Sequence, residues 1–199
     1  MKDKIPLHFS GMRIGLMGGS FDPAHEGHMH CARTAMKRLG LNQIWWLVAP
    51  QNPLKAKSAP LDQRAASARA IAVNPRFVVT TFEDAFGLAY TVDTICFLRT
   101  RSKGARFVWV MGADALSTFH RWRRWRTLLA TIPVVIVPRP GAGPAMGKAF
   151  ANMPAGRTSA GALLTSRPPA WTRLTGPTKP HASRIIRAQA AVGRTGESG

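Results

Sequence analysis

Short apolar runs recur along this chain with helical stretches between them, and that alternation restricts the fold more than any other feature. The runs fall at residues 12–17, 44–48, 77–79, 107–111 and 133–137. They read as short buried strands. Between them, residues 27–39, 61–73, 91–101 and 123–129 have the periodicity or composition of helices. Strands alternating with helices predict an α/β fold, a Rossmann-like doubly wound and mainly parallel sheet with helices on both faces. The ligand crevice of such a sheet lies at the carboxyl ends of its strands. With 199 residues, 45% of them hydrophobic, the chain fits a single domain with a substantial core. A last strand near 171–174 and a helix at 183–192 close the domain, which is expected over 12–192. Within it, residues 139–166 shift to Gly, Pro, Ala and Ser and read as a loop-rich or mobile stretch. Residues 193–199 read as a disordered tail.

The formal net charge is +19, an excess that raises nucleic acid, membrane surfaces and anionic metabolites as partners. The basic residues are dispersed along the chain, which fits polyanionic small substrates better than a dedicated nucleic-acid footprint. Cys31 and Cys96 form no C-x-x-C and have no matching His/Cys spacing. Neither a disulfide framework nor a protein-built metal site is expected from them. The N-terminus has no long apolar segment, and the apolar run at 128–137 is interrupted by Pro133 and too short to span a bilayer. No membrane association and a reducing, cytoplasmic setting are the expectations.

Chemistry concentrates in Gly18-Gly19-Ser20-Phe21-Asp22-Pro23-Ala24-His25-Glu26-Gly27-His28, between the first strand and the first helix. A glycine turn that opens a helix suits a phosphate: glycines allow close approach to the backbone, and the helix N-terminus offers unpaired N–H groups and a positive dipole end. His25 and His28, three apart, fall on one helical face. There imidazole N–H groups can donate to phosphate oxygens and stabilise charge that grows during phosphoryl or nucleotidyl transfer. Taken singly, the same residues also fit a plain loop, solvated histidines or two metal ligands. Neither a G-x-x-x-x-G-K-[ST] loop nor a G-x-G-x-x-G fingerprint is present at this strand end, which disfavours a kinase-type ATPase and a nicotinamide dehydrogenase.

The whole string resembles the G-G-[ST]-F-D-P-x-H-x-G-H signature of the nucleotidylyltransferase superfamily, with every defining position filled. Further stretches are similar to the nicotinate-nucleotide adenylyltransferase family, and together they run from residue 13 to about 188. The first is Pro50-Gln51-Asn52-Pro53-Leu54-Lys55, where the resemblance implies that Lys55 faces the triphosphate; a solvated loop lysine is the plain alternative. The second is Ala89-Tyr90-Thr91-Val92-Asp93-Thr94. There a threonine N-cap and nearby amides can hold a carboxylate, or simply cap a helix. In the third, Gly112-Ala113-Asp114 ends the fourth strand and Phe119-His120-Arg121-Trp122-Arg123-Arg124-Trp125 follows. The resemblance implies that Trp122 stacks on the pyridine ring, a natural use of indole. Trp125 reads as core packing. Arg139-Pro140-Gly141 after the fifth strand is also shared. The last stretch, Ala182-Ser183-Arg184-Ile185-Ile186-Arg187, matches the family's C-terminal I-S-S-T-x-[IL]-R motif at Ser183, Ile186 and Arg187. It departs from that motif at His181, Ala182 and Arg184.

The resemblance implies transfer of AMP from ATP to nicotinate mononucleotide in NAD synthesis, with Mg2+ carried by the triphosphate. His25, His28, Lys55 and Arg187 are then the catalytic candidates. Gly18, Gly19, Ser20, Phe21, Gly112, Asp114 and Ser183, with His25, His28 and Arg187, line the ATP side. Ser20, Lys55, Tyr90, Thr91, Trp122 and Arg139 line the mononucleotide side. Two alternatives remain open at this point. Pantetheine-phosphate adenylyltransferase and cytidylyltransferases share the first motif, and a non-catalytic nucleotide- or RNA-binding protein of the same fold fits the +19 charge, the altered C-terminal motif and the alternating aromatic and basic residues at 119–126, which also suit single-stranded nucleic acid.

Overall fold

The computed structural model describes residues 4–50, 58–138, 153 and 155–174. Among these residues six strands, β1 (Arg13–Gly19), β2 (Gln43–Val48), β3 (Phe77–Thr80), β4 (Arg106–Gly112), β5 (Val134–Val137) and β6 (Trp171–Arg173), form one sheet. Their order is β3-β2-β1-β4-β5-β6, and every adjacent pair is parallel. The helices are α1 (Glu26–Leu39), α2 (Leu61–Ile71), α3 (Phe82–Ala85), α4 (Thr91–Arg101), α5 (Ala113–Phe119) and α6 (Trp125–Thr131).

The strands are apolar on consecutive positions because both faces of the sheet are covered. One face sends Met17, Trp46, Val48, Val110 and Val135 against Met29, Ala32, Ala35, Met36 and Leu39 of α1 and Ala65 and Ala68 of α2. The other sends Leu16, Trp45, Trp109, Met111 and Ile136 against Ile95 and Leu98 of α4, Leu116 and Phe119 of α5, and Leu128 and Leu129 of α6. The doubly wound parallel sheet expected from the sequence is the one observed.

Several local expectations change. β1 continues through Gly18 and Gly19, which pair with Leu47 and Val48, so the chain turns only after the glycines. α6 begins at Trp125 rather than Arg123 because Arg124, its N-cap, takes a left-handed φ of 52° and breaks any earlier helical turn. Helices α3 and α5 were not anticipated. Within the stretch expected to be loop-rich, residues 155–166 pack on the sheet edge. Arg157 bridges Trp171, the Thr158 N–H donates to the Trp171 carbonyl at 2.9 Å, and Leu163 is fully buried in the α1 face of the core. Residues 139–152, the expected C-terminal helix and the tail lie outside the described residues. Among the described residues, no helix is long and apolar enough to cross a membrane.

Candidate active site

The strand order reverses between β1 and β4. Their carboxyl ends, Gly18-Gly19 and Gly112, therefore flank the crevice that a doubly wound sheet offers to a ligand.

His25 is the N-cap of α1 and His28 is its third helical residue. The Gly27 N–H donates to His25 Nδ1 at 3.0 Å, and the His25 N–H donates to His28 Nδ1 at 3.2 Å, a reciprocal cap built from two imidazoles. Because both Nδ1 atoms accept, the hydrogen-bond network assigns the proton of each neutral ring to Nε2. Each ring thus holds an Nε2–H donor. The two rings lie 3.9 Å apart, centroid to centroid, at 31°. The sequence expectation that they share one helical face is adjusted in detail: His25 precedes the first helical turn, and the cap is what brings the rings together.

Phe21, two residues after the end of β1, supports this pair from a left-handed backbone, φ 46°. Its ring stacks on Trp46 at 5.2 Å and meets His28 edge-on at 4.9 Å. It also covers Gly19, where an added Cβ would stand 3.3 Å from the ring. Ser20, half-buried, lies in sequence between the strand end and Phe21.

On the β4 side, Gly112 is the N-cap of α5 and Asp114 sits exposed in its first turn. Tyr90, not Thr91, is the N-cap of α4, and no side chain caps that helix; Thr91 is its first residue. The N-cap role expected for Thr91 is therefore corrected. Trp122 is half-buried in the segment between α5 and α6, edge-on to Trp109 at 6.1 Å and 84° and to Phe119 at 5.3 Å. The Arg123 guanidinium lies 4.5 Å over the Tyr90 ring, so the start of α4 and the Trp122 segment, distant in sequence, meet here. Trp125 packs against the core beside Phe119, as expected. Lys55, Arg139, Ser183 and Arg187 lie outside the described residues.

Three residues to which the sequence reading gave no site role shape the site. Trp109, 1% exposed, reaches from mid-strand toward the carboxyl end of the sheet; a Cβ on Gly18 would stand 2.5 Å from its Cη2. The same ring contacts Trp122, so Trp109 couples the two sides of the crevice. Gly18 is glycine because the indole occupies the place of its side chain. Gly18→Ala is expected to cost about 1–3 kcal/mol of stability, since a fully buried indole has nowhere to move. Denaturant unfolding checks this; unchanged stability would place the indole elsewhere.

Glu83 of α3 is buried, and the Thr94 hydroxyl donates to its carboxylate at 2.6 Å. Its main-chain carbonyl accepts the Leu88 N–H at 2.8 Å. Burial pushes its carboxyl up to about 7, the Thr94 hydrogen bond opposing the shift. Arg64 of α2, 2% exposed, donates to four main-chain carbonyls. The signal for it was a basic residue on the same helical stripe as Ala65 and Ala68, the face of α2 that enters the core.

The cytidylyltransferase-like family model matches residues 16–189. A relative from Rhizobium meliloti (strain 1021), named "Probable nicotinate-nucleotide adenylyltransferase", is 47% identical over 184 residues, covering 89% of this chain and 98% of its own. One of the same name from Methylorubrum extorquens is 48% identical over 185 residues, covering 89% of this chain and 100% of its own. The chain belongs to the nicotinate-nucleotide adenylyltransferase family. A solved structure of Plasmodium falciparum nicotinic acid mononucleotide adenylyltransferase complexed with NaAD shares the fold. Its TM-score is 0.69 at 16% identity, over 89% of this chain and 83% of that one. A second structure of that protein, complexed with APC, gives a TM-score of 0.67 at 15% identity, with the same coverage.

Members of the nicotinate-nucleotide adenylyltransferase family act on ATP, whose chemistry generally calls for a divalent cation. Among the described residues, no group of three or more His, Cys, Asp or Glu side chains forms a cage for one.

Proposed function

We propose that this chain transfers AMP from ATP to the 5′-phosphate of nicotinate mononucleotide, giving nicotinate adenine dinucleotide and pyrophosphate for NAD synthesis. The supporting observation is the geometry at the β1/β4 crevice. The paired Nε2–H imidazoles of His25 and His28 stand beside the end of β1, and Trp109 reaches from Gly18 to Trp122. Phosphate donors therefore adjoin an aromatic surface. The names of the relatives and the titles of the Plasmodium structures agree with this reading.

In this reaction a phosphate oxygen of the mononucleotide forms a bond to the α-phosphorus as the bond from that phosphorus to the bridging oxygen breaks. The electron pair leaves with pyrophosphate. No protein group becomes covalently attached, so catalysis is positioning plus stabilisation of charge on the phosphates. His25 and His28 donate from Nε2 to the α- and β-phosphates, next to the main chain of Gly18, Gly19, Ser20 and Phe21. Lys55 and Arg187 neutralise the leaving pyrophosphate, with Ser183 beside them. Gly112 and Asp114 meet the adenylate portion. Trp122 stacks on the pyridine, amides near Tyr90 and Thr91 receive its carboxylate, and Ser20 and Arg139 contact the mononucleotide. Mg2+, held mainly through the triphosphate, would supply charge neutralisation there. We place this activity in a single domain over residues 12–192 working in the cytoplasm.

Pyrophosphate release with ATP and each of nicotinate and nicotinamide mononucleotide tests the assignment. The amide is expected to be the poorer substrate because it cannot make charge-assisted contacts with backbone donors. Trp122→Ala is expected to weaken mononucleotide binding by roughly 1–3 kcal/mol, as for aromatic base stacking elsewhere, with ATP binding little changed. An effect confined to the ATP KM, or equal use of acid and amide, sinks this assignment.

A further inference from the structure

Arg64 is a buried cation that the mechanism above does not use. Its Nε donates to the Ala59 carbonyl at 2.7 Å. One terminal nitrogen donates to the Ser20 carbonyl at 2.9 Å and the Ala49 carbonyl at 2.7 Å, and the other donates to the Pro50 carbonyl at 2.7 Å. Ser20 directly follows β1, while Ala49 and Pro50 follow β2 and lead into the stretch that carries Lys55. The guanidinium thus ties together the exits of two neighbouring strands and the start of its own helix. The same helix holds the turn at a second point, where the Ala24 N–H donates to the Ser67 hydroxyl at 3.0 Å.

Desolvation lowers the Arg64 guanidinium from its ordinary value, with the nearby Asp22 carboxylate opposing the shift. A cation taken out of water is costly, and leaving it there requires that its donors be satisfied. Satisfying several carbonyls at once is a task for the planar fork of arginine, which the point charge of lysine does not reproduce. If Arg64 served packing alone, an apolar side chain would fill the α2 stripe at lower cost. The carbonyls it binds instead belong to the main chain on which phosphate-side geometry depends.

We propose that Arg64 is a positioning residue for adenylyl transfer, its guanidinium holding the segment after β1 and the segment after β2 in the mutual placement that ATP phosphates require. This inference rests on reading those two segments as the phosphate side of the site.

The test compares wild type, Arg64→Lys and Arg64→Ala in steady-state kinetics with ATP and nicotinate mononucleotide, alongside thermal unfolding and a measurement of the folded fraction. The expected result is a fall in kcat/KM for ATP of about 10²-fold per folded molecule in both variants, the scale set by small misplacement of reacting groups. The KM for the mononucleotide stays near wild type. Added guanidinium at millimolar concentration restores part of the turnover of Arg64→Ala and none of that of Arg64→Lys, whose side chain fills the space. Variants that lose thermal stability but keep wild-type kcat and KM per folded molecule overturn the proposal, because a merely structural role moves only stability. If Arg64→Ala does not fold, Arg64→Lys decides by the same criterion. Wild type that turns over neither mononucleotide overturns the proposed function instead; binding of an ATP analogue to wild type and Arg64→Lys then judges Arg64 by itself, equal binding counting against it.

Discussion

His28→Ala is expected to lower turnover by on the order of 10²-fold or more while the fold survives, the scale seen when one donor to developing charge is removed from an active site. His28 is half-buried against Phe21 and Trp46, so its loss leaves a partly open space rather than a sealed core cavity. The variant also removes the acceptor of the His25 N–H, which ties catalysis to helix capping. His28→Asn separates the two. Its amide oxygen can stand where Nδ1 accepts that N–H, while nothing replaces the Nε2–H on the far side of the ring. Both variants are expected to lose turnover, but Asn is expected to retain more of the roughly 1 kcal/mol that a cap contributes. Turnover and denaturant unfolding measured together check this. Near-normal turnover in a folded His28→Asn would remove the Nε2–H donor from the mechanism.

The fold was legible because each strand is apolar on consecutive positions, a pattern that only a sheet covered on both faces explains. The pairing of His25 and His28 was legible because both histidines lie within four residues of one helix start. What escaped was everything decided by tertiary contact. Gly18 and Gly19 look like a turn in sequence, yet they are strand residues kept small by the rings of Trp109 and Phe21. Helix α5 starts at the residue after β4 ends, a junction with no intervening loop signal to mark it. Tyr90 holds the cap position that a threonine beside it suggests, because cap identity depends on backbone angles and not on side-chain preference alone. Arg64 and Glu83 take their places from partners distant in sequence, the Ser20, Ala49 and Pro50 carbonyls that accept from Arg64 and the Thr94 hydroxyl that donates to Glu83.

Glu83→Gln is expected to make stability nearly independent of the ionisation that the wild-type carboxyl undergoes, and the sign follows from linkage. The carboxyl is raised from 4.5 in its ordinary state to about 7 in the folded protein. Below 4.5 it is protonated in both states and imposes no penalty. As pH rises from 4.5 through 7, the unfolded chain sheds its proton first, so wild type loses stability across that window. The difference of the two values corresponds to roughly 3 kcal/mol, lost in full above 7. Glutamine mimics the neutral acid and still accepts from the Thr94 hydroxyl, so the variant should match wild type at low pH and exceed it at high pH. The consequence reaches the site, since Thr94 also donates its main-chain N–H to the Tyr90 carbonyl at 3.2 Å, and Glu83 closes the segment before Tyr90 through Leu88. If the cost of charging Glu83 in its buried place is relieved by movement of α3 against α4, the KM for the mononucleotide should rise with pH in wild type and stay level in Glu83→Gln. Denaturant unfolding and KM measured from below 4.5 to above 7 decide the matter. Parallel stability curves for the two proteins would mean that Glu83 stays ionised in its pocket, and the pH dependence of the site would have to come from another group.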